Sequence, residues 1–240
     1  MLENTGDLTD QLLSSLMNID RSAGMGVLAG GMIHAMNNYL GGITGHVDLM
    51  LLNKGDVTYK NDLASLESIC DEAITFTRSL NVISNGFRDT GPVDLGKLLS
   101  GFTTFARRIF RSSRISVEDS KIDGFFFAEP GGLVTQAIFH QLMIGRNLLM
   151  ASDISSKEMQ FEVHCNKAGC IIGLALEGLQ LDVNQLKVPE KIPLDPDQVE
   201  YHIWMIDLLC NQRGKWYPDI EKSRINLQWP TTVGPSGVIF

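Results

Sequence analysis

The sequence lacks the marks of most membrane, secreted and nucleic-acid-binding proteins. No apolar run approaches the roughly 20 residues needed to span a bilayer, so no membrane segment is expected. Basic residues are the minority, 20 against 28 acidic. The net charge of −8 argues against a general nucleic-acid binder, which carries a basic surplus. The start, Met1-Leu2-Glu3-Asn4-Thr5-Gly6-Asp7, is acidic and has neither the basic opening nor the apolar core of a secretion signal. A cytoplasmic location is expected. The four cysteines are scattered. Cys165 and Cys170 lie close, but no second pair stands at zinc-ligand spacing and His164 alone completes no site. Buried, reduced thiols are expected. Repeats and low-complexity segments are absent. The length of 240 residues allows one or two domains with a sizeable core, and 44% hydrophobic and 20% charged residues are ordinary for a globular chain.

What is present centres on the run from Gly26 to Ile43. Leu28, Met32, Met36, Leu40, Ile43, Val47 and Met50 recur in steps of four or three, one face of a long helix. The pattern predicts a helix from about Arg21 to Asn53. Seven glycines fall between Gly24 and Gly45; each costs up to about 1 kcal/mol against alanine, so tertiary packing must hold the segment helical. His34 lies about 200° around the helix from Met36, since two residues separate them. It is either available to a partner or a reaction, or an ordinary solvated histidine.

Residues 1–20 read as a polar lead-in with a helical piece around Leu8–Met17. Asn53-Lys54-Gly55-Asp56 is a turn. A second helix follows from about Thr58 to Asn85, with Leu66, Ile69, Ala73, Phe76, Leu80 and Ile83 forming a heptad seam and Gly86 placed to end it. Residues 21–87 thus form an antiparallel hairpin with too little interior to stand alone. Pairing two copies into a four-helix bundle solves this and predicts a homodimer; packing against the chain's own C-terminal domain is the alternative.

After Arg88-Asp89-Thr90-Gly91-Pro92, residues 92–240 form a second unit. Helices are expected at Val93–Phe110, Gly132–Met150 and Gln198–Cys210. Strands are expected at Ile115–Glu118, Phe125–Phe127 and Ile225–Trp229, with a hairpin of Met159–Cys165 and Cys170–Leu176. Residues 179–196 read as irregular. Arginines 107, 108, 111 and 114 read as a solvated face. The order suggests a mixed sheet with helices on one face, an α+β chain overall.

The run around His34 resembles the H-box of two-component sensor histidine kinases, in the subclass reading H-E-x-N-N-P-L. His34, Asn37, Asn38 and Leu40 match in register, while Ala35 stands where the family has an acid and Tyr39 where it has a proline. Val93-Asp94-Leu95 resembles the family's entry to its ATP-binding domain, and Phe127-Ala128-Glu129-Pro130 with Gln136-Ala137-Ile138 its approach to the nucleotide. The resemblance implies a dimeric histidine-bearing bundle followed by an ATPase-like α/β sandwich.

The nucleotide motifs themselves are degenerate. In register with the family's asparagine-rich helix, His140 and Ile144 replace two asparagines, and isoleucine cannot ligate magnesium. Asn147 is one turn out of place and reads as a surface residue. Leu176 falls at the adenine-reading position, next to Glu177, and no glycine-rich phosphate cradle follows. With Ala35 the acid that serves the family as base is also gone. The resemblance therefore implies a histidine phosphotransferase that carries a phosphoryl group on His34 between receiver-domain aspartates, without autophosphorylation by ATP. No cofactor is expected on the chain itself; Mg²⁺ is expected on the partner receiver. Asn38 matches the position with which the family orients water to dephosphorylate a receiver, or is a plain surface asparagine. Asn37, Gly41 and Thr44 are expected in the receiver-docking surface. The alternative reading is a non-catalytic pseudokinase regulator, or a phosphatase, that binds a receiver.

Overall fold

The computed structural model describes residues 4–52, 56–122, 126–166, 169–193 and 195–232. Helix α1 runs unbroken over Asn4–Leu52 and α2 over Asp56–Arg88, and the two pack against each other. The expected lead-in is therefore helix from Asn4 onward. Its support is tertiary: the Gln136 side-chain amide donates to the Met17 carbonyl at 2.9 Å, and Asp20 is buried.

The face of α1 that packs within the chain coincides with the expected stripe only at Leu28 and, in part, at Met36. Leu28, Ala35 and Tyr39 are buried, whereas Met32, Leu40 and Val47 are exposed. Ala35 and Tyr39 each stand one residue before Met36 and Leu40, so the buried line is rotated by about 100°. The stripe was read as one face because both lines carry apolar residues. On α2 the seam holds, with Phe76, Leu80 and Ile83 buried and Phe87 extending it. Gly86 does not end this helix. It faces Thr135, to whose Oγ1 a Cβ would come within 2.7 Å, so glycine permits the close approach.

The second unit opens with β1 (Val93–Asp94) and α3 (Leu95–Ile109), whose N-terminus Asp94 caps by accepting from the Lys97 amide at 3.1 Å. A 3-10 turn at Phe110–Ser113 leads into β2 (Ile115–Val117) and β3 (Lys121–Ile122). Next come β4 (Phe127–Ala128), α4 (Gly131–Ala151), the hairpin β5 (Lys157–Asn166) and β6 (Gly169–Glu177), α5 (Val199–Arg213), β7 (Lys215–Asp219), β8 (Arg224–Trp229) and β9 (Thr231–Thr232). The larger sheet has the order β2-β5-β6-β8-β7, with β3 also on β5. β2 and β3 run parallel to β5 and the remaining pairs are antiparallel, so the sheet is mixed, as expected. A separate small antiparallel sheet has the order β1-β4-β9.

Helix α4 is the centre of this unit. Residues from Gly131 to Leu149 on nearly every face of it are buried, between the sheet and α5. Gln141 is wholly buried, and its amide donates to carbonyls of two strands, Ile172 at 2.9 Å and Ile225 at 2.6 Å. The hairpin of α1 and α2 shares one hydrophobic core with this unit: the Phe87 and Phe139 rings meet edge-on, 6.0 Å between centroids. The chain therefore does bury part of its hairpin against its own C-terminal domain. Met32, Leu40 and Val47 on α1 stay exposed.

The cysteines depart from expectation. Cys210 is a buried free thiol, Cys70 is free but exposed on α2, and Cys170 is disulfide-bonded. The tight β5–β6 hairpin, which sets the backbone of residue 165 opposite that of Cys170, is what spacing along the chain did not convey. Phe125, expected in a strand, lies outside the described residues.

Candidate functional site: the His34 cleft

His34 sits well inside α1 with its side chain exposed. One turn further, Asn38 Nδ2 lies 3.4 Å from His34 Nε2. An amide N–H can only donate, so this contact selects the tautomer with the lone pair on Nε2 and the proton on Nδ1. The lone-pair nitrogen is thus Nε2, and a 3.4 Å contact holds it only weakly.

The two departures from the H-box pattern are both buried. Ala35 stands beside Arg108 and Ile109 of α3, while the Tyr39 ring packs between Phe76 of α2 and Arg108 of α3. One turn earlier, a Cβ on Gly31 would stand 2.8 Å from Ile109 Cδ1. Small side chains at Gly31 and Ala35 let the end of α3 lie against the histidine helix, and the Tyr39 ring carries the Arg108 guanidinium 4.4 Å above its centroid. Burial pushes the Tyr39 hydroxyl above its ordinary pKa; Arg108 opposes that and Glu72 adds to it.

A cleft of about 330 Å³ results, walled by His34, Ala35 and Asn38 on one side and by Arg108, Arg111 and Ser112 on the other. Of the arginines read as a solvated face, two therefore line the histidine's own cleft. Arg107 does not: its Nε donates to the Val117 carbonyl and it pairs with Asp119 at 3.0 Å. Seen along their own helix the arginines look like surface charge. The available signal lay in α1, where Gly31 and Ala35 mark a close helix approach. Asn37, Gly41 and Thr44 are exposed on α1 at and beyond His34, and a Cβ on Gly41 would meet nothing within 4 Å.

The region that resembles the family's nucleotide site in sequence is tightly packed. His140 is wholly buried and donates through Nε2 to Asp20 Oδ2 at 2.9 Å, while its Nδ1 meets His202 Nδ1 at 2.9 Å. Tyr201 donates to Asp20 Oδ1 at 2.8 Å. Burial alone would raise the Asp20 pKa. The charge of His140, with hydrogen bonds from His140 and Tyr201, outweighs it and holds the carboxyl below its ordinary value. Burial, with His140 alongside, pushes His202 down to about 3, so its ring is neutral. Ile144 and Leu176 are buried too, and a Cβ on Gly145 would stand 2.6 Å from Leu174 Cδ2 and 3.1 Å from Leu176 Cδ2. Helix α4 thus lies directly on β6 there. Glu177 is exposed at the strand end. Asn147 is half-buried, not a free surface residue: its amide donates to the Asp197 carbonyl at 3.1 Å and ties down the approach to α5. None of Asp20, Tyr201 or His202 was singled out from the sequence.

No family model matches the chain, and no curated protein does. Among solved structures it is similar to a bacterial phosphotransferase, with 13% identity over 85% of this chain and 94% of that one and a TM-score of 0.46. It is also similar to the Acinetobacter baumannii histidine kinase AdeS, with 10% identity, 81% and 94% covered and a TM-score of 0.41. Full-length ShkA in complex with AMPPNP matches with 11% identity over 95% of this chain and 47% of that one, at a TM-score of 0.48. At these identities the likeness is one of fold. Among the described residues no helix is long and apolar enough to cross a membrane.

Proposed function

We propose that the chain is a histidine phosphotransferase of a two-component phosphorelay, working as a homodimer with response-regulator receiver domains in the cytoplasm. The observation that carries this reading is an exposed imidazole, on a firmly packed helix, whose Nε2 is kept as the lone-pair nitrogen by Asn38. In the transfer, that lone pair attacks the phosphorus of a receiver's aspartyl phosphate. The N–P bond forms as the P–O bond breaks, the electron pair leaves with the aspartate carboxylate, and the ring proton stays on Nδ1. The reverse attack by a second receiver's carboxylate returns the imidazole. The receiver brings its own Mg²⁺.

Transfer without ATP is supported by two features. Ala35 offers no carboxylate to act as base beside His34. The space between α4 and β6 is filled by Ile144, Leu174 and Leu176, and His140 is committed to Asp20. Pairing of two chains is supported by the exposed apolar line Met32, Leu40 and Val47 on α1, with Leu63 and Ile74 on α2.

The test is phosphotransfer profiling against the receivers of the same cell, with His34→Ala as control. Acid-labile, base-stable phosphate on His34, lost in the variant, is the expected result. Receiver phosphate disappearing with no labelled intermediate overturns the relay in favour of an Asn38-dependent phosphatase. Stoichiometric binding with neither outcome leaves a non-catalytic regulator.

A further inference from the structure

Resting on that phosphotransfer reading, we infer that Arg108 and Arg111 bind the phosphoryl oxygens of phospho-His34, so that the α/β unit supplies the cationic half of the transfer site. Both arginines wall the His34 cleft. Arg108 is held by its stacking on Tyr39, which engages the flat face of the guanidinium and leaves the N–H donors of its edge unused. Arg111 follows one turn later and is exposed. Among the described residues neither side chain has an ion-pair or hydrogen-bond partner, although the chain carries more acids than bases. Arg107, their neighbour, is spent on Val117 and Asp119.

Two unpaired cations beside the imidazole, one of them held on an aromatic ring, fit an incoming oxyanion. A phosphoryl group brings three strong acceptor oxygens and about two negative charges. Guanidinium edges match such oxygens in paired, charge-assisted hydrogen bonds. The remaining groups facing the cleft are neutral donors, the Asn38 amide and the Ser112 hydroxyl. Glu72 of α2 reaches the field of Tyr39 but forms no ion pair with Arg108. During transfer the negative charge spreads over the equatorial oxygens, where these donors would meet it.

The test uses the full chain labelled with phosphoramidate, a small donor without receiver cations of its own, or with a phosphorylated receiver where the small donor fails. In the first case His34 Nε2 attacks phosphorus and ammonia leaves. Phosphorus NMR then follows the titration of the phosphoryl group on His34. Its midpoint is expected to rise by about one pH unit in Arg111→Ala, since a lost cation no longer favours the dianion. Arg108→Lys keeps charge but not the fork and should fall between. Onward transfer to an unphosphorylated receiver is expected to slow on the order of tenfold in Arg111→Ala. Arg111 is exposed, so that variant keeps the fold. Label that forms with unchanged midpoint and unchanged transfer in both variants overturns this inference and leaves the phosphotransfer reading standing. No label from either donor overturns both.

Discussion

His140 Nε2 donates to Asp20 Oδ2 across 2.9 Å, although 120 residues separate the two. Asp20 also receives Tyr201, so a single carboxylate on α1 joins the hairpin to α4 and α5. Removing one member of a buried, charge-paired cluster leaves the others uncompensated. Asp20→Ala is expected to lower stability by about 3–5 kcal/mol, read as a fall in the urea midpoint.

His202 gives stability a pH dependence with a definite window. Its folded-state pKa is held at about 3, below the ordinary 6.5, so the fold favours the neutral ring. As pH falls, the unfolded chain takes up the proton first. The stabilisation is full above about pH 6.5 and shrinks steadily toward pH 3. Asp20 adds a further loss only below the ordinary carboxylate value of 3.8, as its lowered pKa is crossed. Urea midpoints at about pH 7 and about pH 5 are expected to differ in the parent and to converge in His202→Gln. An equal drop in both proteins would assign the dependence elsewhere.

Gly31 sets the distance between the histidine helix and α3. In Gly31→Val the new carbon atoms begin within 2.8 Å of Ile109, so overpacking should cost roughly 1–3 kcal/mol. Phosphate uptake on His34 should slow at the same time, because Arg108 and Arg111 move with α3. Thermal unfolding and labelling rates measured side by side check both parts. A destabilised variant that still takes up phosphate at the parent rate would separate the cleft from the chemistry.

Leu40 is 60% exposed on the outer line of α1. Leu40→Glu is expected to leave the melting temperature of the single chain nearly unchanged and to shift the chain from dimer to monomer in sedimentation velocity. A parent protein that is monomeric at micromolar concentration would remove the bundle-pairing idea.

Saturating Mg·ATP is expected to leave the melting temperature unchanged. A ligand at a hundred times its Kd stabilises by about 2.7 kcal/mol, a shift well within reach of scanning fluorimetry. Leu176 and Ile144 are buried where α4 lies closely on β6. A clear rise would restore the nucleotide site.

The sequence conveys what rests on local pattern. The three-and-four spacing of α1 and α2, the β5–β6 hairpin around residues 166–169 and the position of His34 all follow from neighbours along the chain. Asp20 has no such mark, because its partners lie 116 to 181 residues away. Residues 1–20 therefore read as a lead-in. Strand β7 was missed for a local reason: Lys215-Trp216-Tyr217-Pro218-Asp219 contains a proline. The structure shows why it is tolerated, since among the described residues β7 is an edge strand paired only with β8. The exposed line on α1 and the buried one, a residue apart, also merge in a sequence where methionine, leucine and alanine alternate.

Helix α1 is clamped to the α/β unit at Asp20 and again at Tyr39, points roughly 28 Å apart at the usual rise per residue. A beam fixed at two places cannot swivel about either one, and His34 lies within the braced span. The orientation of the imidazole is thus governed by the sheet domain, with continuous helix between the two clamps. Hairpin and sheet should consequently melt in a single cooperative step, and loosening either clamp should free the bearing of the imidazole before the fold is lost.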